Sequence, residues 1–146
     1  MEEVERPAAL PVGHYICQVT KQPEMEEFTS SKSGVTFDRV TFQLSVVAPH
    51  DDVDPDELSD FGNVAGQPLR KAFLFSRDEG DKANFERSEF NLRQFLSEHL
   101  GLDAGLSFSE AFAEAVNAQC LTEVRHRPDP NDPEIIYAEA GRTAAV

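Results

Sequence analysis

In the stretch VTFDRVTFQLSVV, residues 35–47, one parity contains an aromatic ring, an arginine and hydrogen-bonding side chains: Phe37, Arg39, Thr41, Gln43 and Ser45. Successive side chains of a β-strand point to opposite faces, so Phe37 and Arg39 share one face, about 6–7 Å apart. An exposed ring can stack on an unstacked base, and a guanidinium can bind a phosphate. Because this separation is comparable to the spacing of successive nucleotides, the pattern indicates a face able to bind single-stranded nucleic acid.

Other basic and aromatic side chains could extend this path. The stretch LRKAFLF, residues 69–75, begins with two bases, and AQCLTEVRHR, residues 118–127, ends with two more. The polar connection at residues 22–34 is either a solvated hairpin loop or a flexible finger whose phenylalanine and lysine reach a ligand. The candidate nucleic-acid-binding residues are Lys21, Phe28, Lys32, Phe37, Arg39, Arg70, Lys71, Arg125, Arg127 and Tyr137.

Charge is unevenly distributed along the chain. The net charge of the 146 residues is −14 at pH 7, which by itself argues against a nucleic-acid partner. Residues 13–48, 69–77 and 118–127 nevertheless carry eight lysines and arginines against five acids, whereas residues 50–60 carry six acids and neither base. Predicted strands that are more basic than their surroundings are compatible with phosphate binding.

Period-two patterning predicts the strands that would position these side chains. In residues 35–47 the parity opposite Phe37 is apolar and predicts a core face, made of Val40, Phe42, Leu44 and Val46. Four further strands are predicted at residues 14–21, 69–75, 118–127 and 134–140. Phe73 and Phe75 share one face of the third strand. That face is either core or a platform for the ligand, so the sequence leaves open which face is buried.

Helical patterning follows the third strand. Side chains recur with the period of a core-facing helix at Leu92, Phe95, Leu96, His99 and Leu100. Ser88 is the predicted N-cap of this helix and Gly101 its C-cap glycine. A second, shorter helix is predicted to begin at the capping box formed by Ser107 and Glu110.

The chain is predicted to form one domain. Its parts are a flexible N-terminal arm at 1–12, a single domain at 13–141 with an acidic loop insertion at 48–68, and a short tail at 142–146. The order is strand, strand, strand, helices, strand, strand. This order predicts a mostly β fold with some α, a five-stranded OB-fold-like barrel with a helical insertion between strands 3 and 4. Such barrels bind oligomers across strands 2 and 3 with help from the 1–2 and 4–5 loops.

Motifs for catalysis and metal binding are absent from the sequence. No nucleophile elbow, paired zinc-binding histidines or glycine-rich phosphate loop is present, and the four histidines are scattered. Asp52, Asp54 and Asp56 have the spacing of a calcium loop, but Glu57 and Asn63 stand where that loop needs glycine and glutamate. The sequence therefore predicts that the protein is not an enzyme and uses no cofactor or metal ion.

Cysteine content and hydropathy indicate the compartment. Cys17 and Cys120 fall inside predicted strands without a CxxC spacing, which favours reduced core thiols over a disulfide or redox pair. The apolar runs are too short to span a bilayer, and the acidic N-terminus is not a secretory signal. The expected location is the cytoplasm.

Several segments together resemble small phage-encoded OB-fold single-stranded DNA-binding proteins. They are PVGHYICQVTK, TSSKSGVTFDRVTFQLSVVAP, FNLRQFLSEHLGL, the small helix after it, and VRHRPDP with IIYAEA, within roughly residues 11–145. The resemblance implies sequence-independent coating of single-stranded DNA during phage replication and recombination. Many bacterial-type single-stranded DNA-binding proteins end in an acidic tail that docks partners, and GRTAAV is not such a tail. The acidic loop at residues 50–60 is a candidate substitute for binding replication or recombination proteins.

Two other functions remain open at the level of sequence. The first is a phage structural or assembly β-barrel that binds protein instead of DNA, which the net charge of −14 favours. The second is an OB-fold accessory subunit of a nuclease or recombinase that binds both. The sequence leaves undetermined the oligomeric state, the site size and the preference between DNA and RNA.

Overall fold

An antiparallel sheet of six strands forms the framework of the protein, seen in a computed structural model that describes residues 9–32, 34–76 and 82–146. The strands are β1 Gly13–Val19, β2 Glu24–Thr29, β3 Thr36–Pro49, β4 Pro68–Ser76, β5 Gln119–Pro128 and β6 Ile136–Ala144. Their order is β2-β3-β1-β5-β6, with β4 paired to β3. Within the described residues no ladder joins β4 to β6, so the sheet is not closed into the five-stranded barrel expected from the sequence.

The long strand β3 organises the sheet, because β1, β2 and β4 all pair with it. Val40, Phe42, Leu44 and Val46 are each at most 2% exposed. The predicted core face of this strand is therefore confirmed, and Phe37 and Arg39 lie on the opposite face.

The strand β2 was not predicted and accounts for the sixth strand. It pairs with residues 36–41 of β3, while β1 pairs with residues 44–49 along the same edge. The two strands thus form one interrupted strand, broken at residues 20–23. The expectation of a solvated loop or a flexible finger over residues 22–34 is wrong for Phe28, which is paired to β3 within β2.

Within the described ranges three α-helices accompany the sheet: α1 Pro55–Phe61, α2 Lys82–Gln94, which continues into a π-helical turn at Phe95–His99, and α3 Phe108–Glu114. Ser88 lies inside α2, so its prediction as an N-cap is wrong. The predicted capping box is confirmed, because the Glu110 amide donates to the Ser107 hydroxyl at 3.2 Å. No helix in the described part of the chain is long and apolar enough to cross a lipid bilayer.

The acidic insertion, predicted as a loop at residues 48–68, contains a helix and packs against the sheet. Val53 and Val64 are buried in the core, and α1 begins at an Asp54 cap. Asp52 accepts hydrogen bonds from the backbone amide of His14 at 2.9 Å and lies 2.6 Å from its ring Nδ1. These contacts attach the beginning of the insertion to β1.

The end of the N-terminal arm also packs on the sheet; residues 1–8 of the predicted arm lie outside the described residues, as does Arg77. Leu10 is 4% exposed, and its carbonyl oxygen lies 2.7 Å from Nε2 of His126. The buried Tyr15 hydroxyl donates to the Pro11 carbonyl at 2.7 Å. The arm is therefore anchored from Leu10 onward.

The core lies between the inner face of the sheet and the helices. Phe42 contacts Phe73, Phe95 and Phe112, with ring centroids 5.9, 4.8 and 6.1 Å away in edge-to-face geometry. Phe75 is 6% exposed, so the shared face of Phe73 and Phe75 belongs to the core.

The two cysteines lie opposite each other on β1 and β5 as free, buried thiols, as predicted. Burial raises the pKa of Cys17 to about 11 and also raises that of Cys120. Both groups are therefore protonated core residues at neutral pH.

Candidate nucleic-acid interface

The outward-facing side chains of β2, β3 and β4 form one surface, which we call the outer face. Residues directly opposite in an antiparallel pair lie on the same side of a sheet. Phe28 is opposite Phe37, and Glu26 is opposite Arg39. Arg70 on β4 is opposite an outward residue of β3, so it belongs to the same surface.

A shallow cleft of about 300 Å³ lies on this surface, and we call it the outer-face cleft. It is lined by Lys21, Glu24, Glu26, Arg39, Thr41, Gln43, Arg70 and Ala72. Lys21 and Arg70 form no hydrogen bond or ion pair with the described residues, whereas Arg39 is engaged by a carboxylate. The cleft therefore offers two uncommitted cations and one that is already paired.

Arg39 is held by two neighbours on β2. Its Nε and Nη2 donate to Glu26 Oε1 at 2.9 and 2.5 Å. Its guanidinium carbon lies 4.9 Å from the centroid of the Phe28 ring. A phosphate could take the place of Glu26, because an exposed ion pair contributes little free energy.

The predicted aromatic pair is assembled, and the predicted lysine finger is not. Phe28 and Phe37 are both partly exposed at adjacent positions of the outer face. Lys32 is exposed in the connection that follows β2, where the Gly34 amide donates to the Ser30 carbonyl at 2.8 Å. Lys32 is thus near the outer face in sequence but does not line the outer-face cleft.

Arg127 and Tyr137 form a second group on β5 and β6. They are opposite each other in the ladder, and the guanidinium lies 5.2 Å from the ring centroid. Arg127 donates to Glu139 at 2.9 Å, and the Tyr137 hydroxyl donates to Asp129 at 2.8 Å. That hydrogen bond lowers the pKa of Asp129.

Arg125 and Lys71 both lie next to Gly141 of β6, at the seam between β4 and β6. Arg125 forms an ion pair with Glu123, and its side chain lies over Gly141. The Lys71 ammonium donates to the Gly141 carbonyl at 2.9 Å. Burial lowers the pKa of Lys71, which lies on the inner side of β4, away from Arg70.

The seam opens into a larger cleft of about 650 Å³ beside α2, which we call the seam cleft. Sequence reasoning found Lys71 but missed the polar residues around it: Asn91, Gln94, Arg142 and Thr143. Their sequence neighbourhoods carry no shared signal, because only the approach of β6 to β4 and α2 brings them together. His99, predicted to be structural, contacts Thr143 through Nδ1 at 2.7 Å, and burial lowers its pKa.

Apart from Lys32, which lies in the connection after β2, the predicted residues fall into three places. The outer face has Lys21, Phe28, Phe37, Arg39 and Arg70, β5 and β6 have Arg127 and Tyr137, and the seam has Lys71 and Arg125. Among the described residues no cluster of histidine, cysteine or carboxylate side chains could hold a metal ion. No family model matches the chain, and no curated protein matches it.

Proposed function

We propose that the protein binds single-stranded DNA without sequence preference across the outer face. The observation that carries this proposal is the outer-face cleft, where three cations, Lys21, Arg39 and Arg70, adjoin two partly exposed rings. Cations spaced along a groove bind phosphates, and rings beside them stack on bases of any sequence. The role would be protection of single strands during phage replication and recombination, as the sequence resemblance suggests.

The order of the strands supports an OB-fold. If β1 and β2 count as one interrupted strand, it pairs with β3 and β5, and β3 pairs with β4. The helix α2 follows β4, and β5 pairs with β6. In OB-folds the ligand lies on strands 2 and 3, which correspond here to β3 and β4, the strands beneath the outer-face cleft.

The test measures binding of a fluorescent oligo-dT by anisotropy over a salt series. The logarithm of affinity is expected to fall linearly with that of salt, with a slope of about −0.7 per phosphate neutralised. Arg70→Ala is expected to weaken binding about three- to tenfold. It should also make the slope less steep by about 0.7, the contribution of one neutralised phosphate. Arg87→Ala, which removes an exposed arginine on α2 that lines neither cleft, is the matched control.

One observation favours the second candidate, a barrel-like assembly protein that binds protein. Strand β2 pairs on one side with β3, and the described residues provide no strand for its other edge. Met25 on this strand is 57% exposed. A strand from a partner could add to such an edge. Absence of oligo-dT binding even at low salt would refute the DNA proposal and favour this one.

A further inference from the structure

The seam cleft has a composition unlike the rest of the molecule. None of its described lining residues is acidic, although the chain has 27 acids against 13 lysines and arginines. Lys71 and Arg142 line it together with the imidazole of His99. Arg142 forms no ion pair with any residue that the structure describes. The seam cleft, in a strongly acidic protein, is therefore suited to an anion.

The position of Lys71 supports an anion as the ligand of the seam cleft. Lys71 is half-buried, and among the described residues its ammonium has one hydrogen-bonded partner, the neutral carbonyl of Gly141 at 2.9 Å. Two of its three donors remain for another group. Burying a charge costs free energy unless a counter-charge is present. A bound anion would supply that counter-charge.

The wall formed by α2 offers the second half of a recognition site. Asn91 and Gln94 are three residues apart, so both amides face the cleft from adjacent positions on the helix. The Gln94 amide donates to Glu98 at 3.2 Å, and the Asn91 side chain forms no hydrogen bond with the described residues. Phe73 also lines the cleft and is partly exposed, whereas Phe95 next to it is 1% exposed and belongs to the core. Amides beside such a partly exposed ring can bind the edge and the face of a base.

The two clefts adjoin. Ala72 of β4 lines both the outer-face cleft and the seam cleft, and its small side chain lies on the same side of β4 as Arg70. A strand on the outer face could therefore continue over Ala72. The volume of about 650 Å³ is in the range of sites for single small ligands.

We propose that the seam cleft binds one nucleotide unit, with its phosphate on Lys71 and Arg142 and its base beside Asn91 and Gln94. The unit is either part of a DNA strand bound on the outer face or a free mononucleotide. The first alternative rests on the proposed function. Both sources present the same phosphate and base.

The experiment titrates the full chain separately with dTMP, thymidine, inorganic phosphate and oligo-dT. Binding is followed by calorimetry and by the side-chain amide NMR signals of Asn91 and Gln94. We expect dTMP to bind more tightly than thymidine or phosphate, and to shift both amide signals. Arg142→Ala is expected to weaken dTMP binding at least about tenfold. Asn91→Ala should weaken it less, and the Arg87→Ala control not at all.

The variants separate this inference from the proposed function. Weaker oligo-dT binding in Arg70→Ala, with Arg142→Ala matching the wild type for both ligands, would overturn the inference alone. Loss of dTMP binding in Arg142→Ala, in a protein that does not bind oligo-dT, would support a free-nucleotide site and overturn the proposed function. A wild-type protein that binds neither ligand would overturn both.

Discussion

Arg39 combines the features of a phosphate ligand with those of a paired surface charge. The side chain is 35% exposed, and its partner Glu26 is 54% exposed. An ion pair in this setting contributes at most about 1 kcal/mol. The ring of Phe28 holds the guanidinium in place even when the carboxylate leaves, because the cation–π contact is independent of it. Under the proposed function, Glu26 would therefore compete with a phosphate for a guanidinium that is already positioned.

Removing that competitor gives the first prediction. Glu26→Gln should tighten oligo-dT binding about two- to fivefold at low salt, since the variant removes a negative charge beside the incoming phosphate. Anisotropy titration measures the change, and higher salt should reduce the difference. Glu89→Gln, which alters the Arg93–Glu89 pair on α2, is the control and should leave binding unchanged. Weaker binding in Glu26→Gln would mean that Glu26 positions Arg39 for the ligand.

The contact between Asp52 and His14 gives the second prediction, on stability. Hydrogen bonds from His14 lower the pKa of Asp52 below its ordinary value of 3.8. A carboxyl with a lowered folded-state pKa stabilises the fold above its ordinary pKa, and this stabilisation is lost as pH falls through the folded value. Asp52→Asn should therefore lower the melting temperature at neutral pH and match the wild type well below pH 3.8. If the melting temperatures of Asp52→Asn and the wild type differ by the same amount at all pH values, the charge of Asp52 is not the cause.

At the scale of elements, the junction between β1 and the acidic insertion depends on a glycine. Gly13 has a φ of +138°, and a Cβ built there would lie 2.7 Å from Cγ2 and 3.2 Å from Cα of Val53. Gly34 has a φ of +71°, and a Cβ there would meet no atom within 4 Å. The two positions share unfavourable backbone geometry, but Gly13 alone has the close approach.

The third prediction compares these two glycines. Gly34→Ala should lower the free energy of unfolding by about 1–2 kcal/mol through backbone strain alone. Gly13→Ala should lower it by about 1–3 kcal/mol more, because Val53 must also move. Urea unfolding followed by circular dichroism measures both. Equal losses would indicate that the insertion shifts without cost and is not firmly attached to β1.

The elements differ in how far the sequence predicts them. Strand β3 was predictable because its apolar parity is uninterrupted, and that parity correctly assigned Phe37 and Arg39 to the outer face. Strand β2, EMEEFT, has three glutamates and low strand propensity, so it depends on its pairing with β3. Helix α1 had a signal in the Asp54 cap followed by proline, but its acidic composition favoured a loop.

The candidate site divides in the same way. The outer face follows from period-two alternation within single strands, which is a local property. The seam cleft forms only where β4, β6 and α2 approach one another. The local sequence around Lys71 or Arg142 does not predict that approach. The neighbouring bases Arg70 and Lys71 were predicted to act together. They lie on opposite sides of β4, because adjacent strand residues alternate.

For the whole molecule, the net charge of −14 opposes the approach of DNA to a locally basic face. The opposition acts at long range and is screened by salt, with a Debye length of about 8 Å at physiological ionic strength. Contacts with phosphates weaken as salt rises, whereas repulsion from distant acids is relieved. The salt dependence of DNA affinity would therefore be the sum of these two opposing effects. Variants of the acidic insertion can separate them.

The fourth prediction neutralises exposed acids of the insertion. A triple variant, Asp51→Asn, Asp56→Asn and Asp60→Asn, changes side chains that line neither cleft. It should bind oligo-dT faster and about two- to tenfold more tightly at low salt, and match the wild type when screening is strong. Stopped-flow anisotropy measures the association rate. A gain that persists at high salt would place the insertion in contact with DNA, and weaker binding would exclude long-range repulsion as the dominant role of these acids.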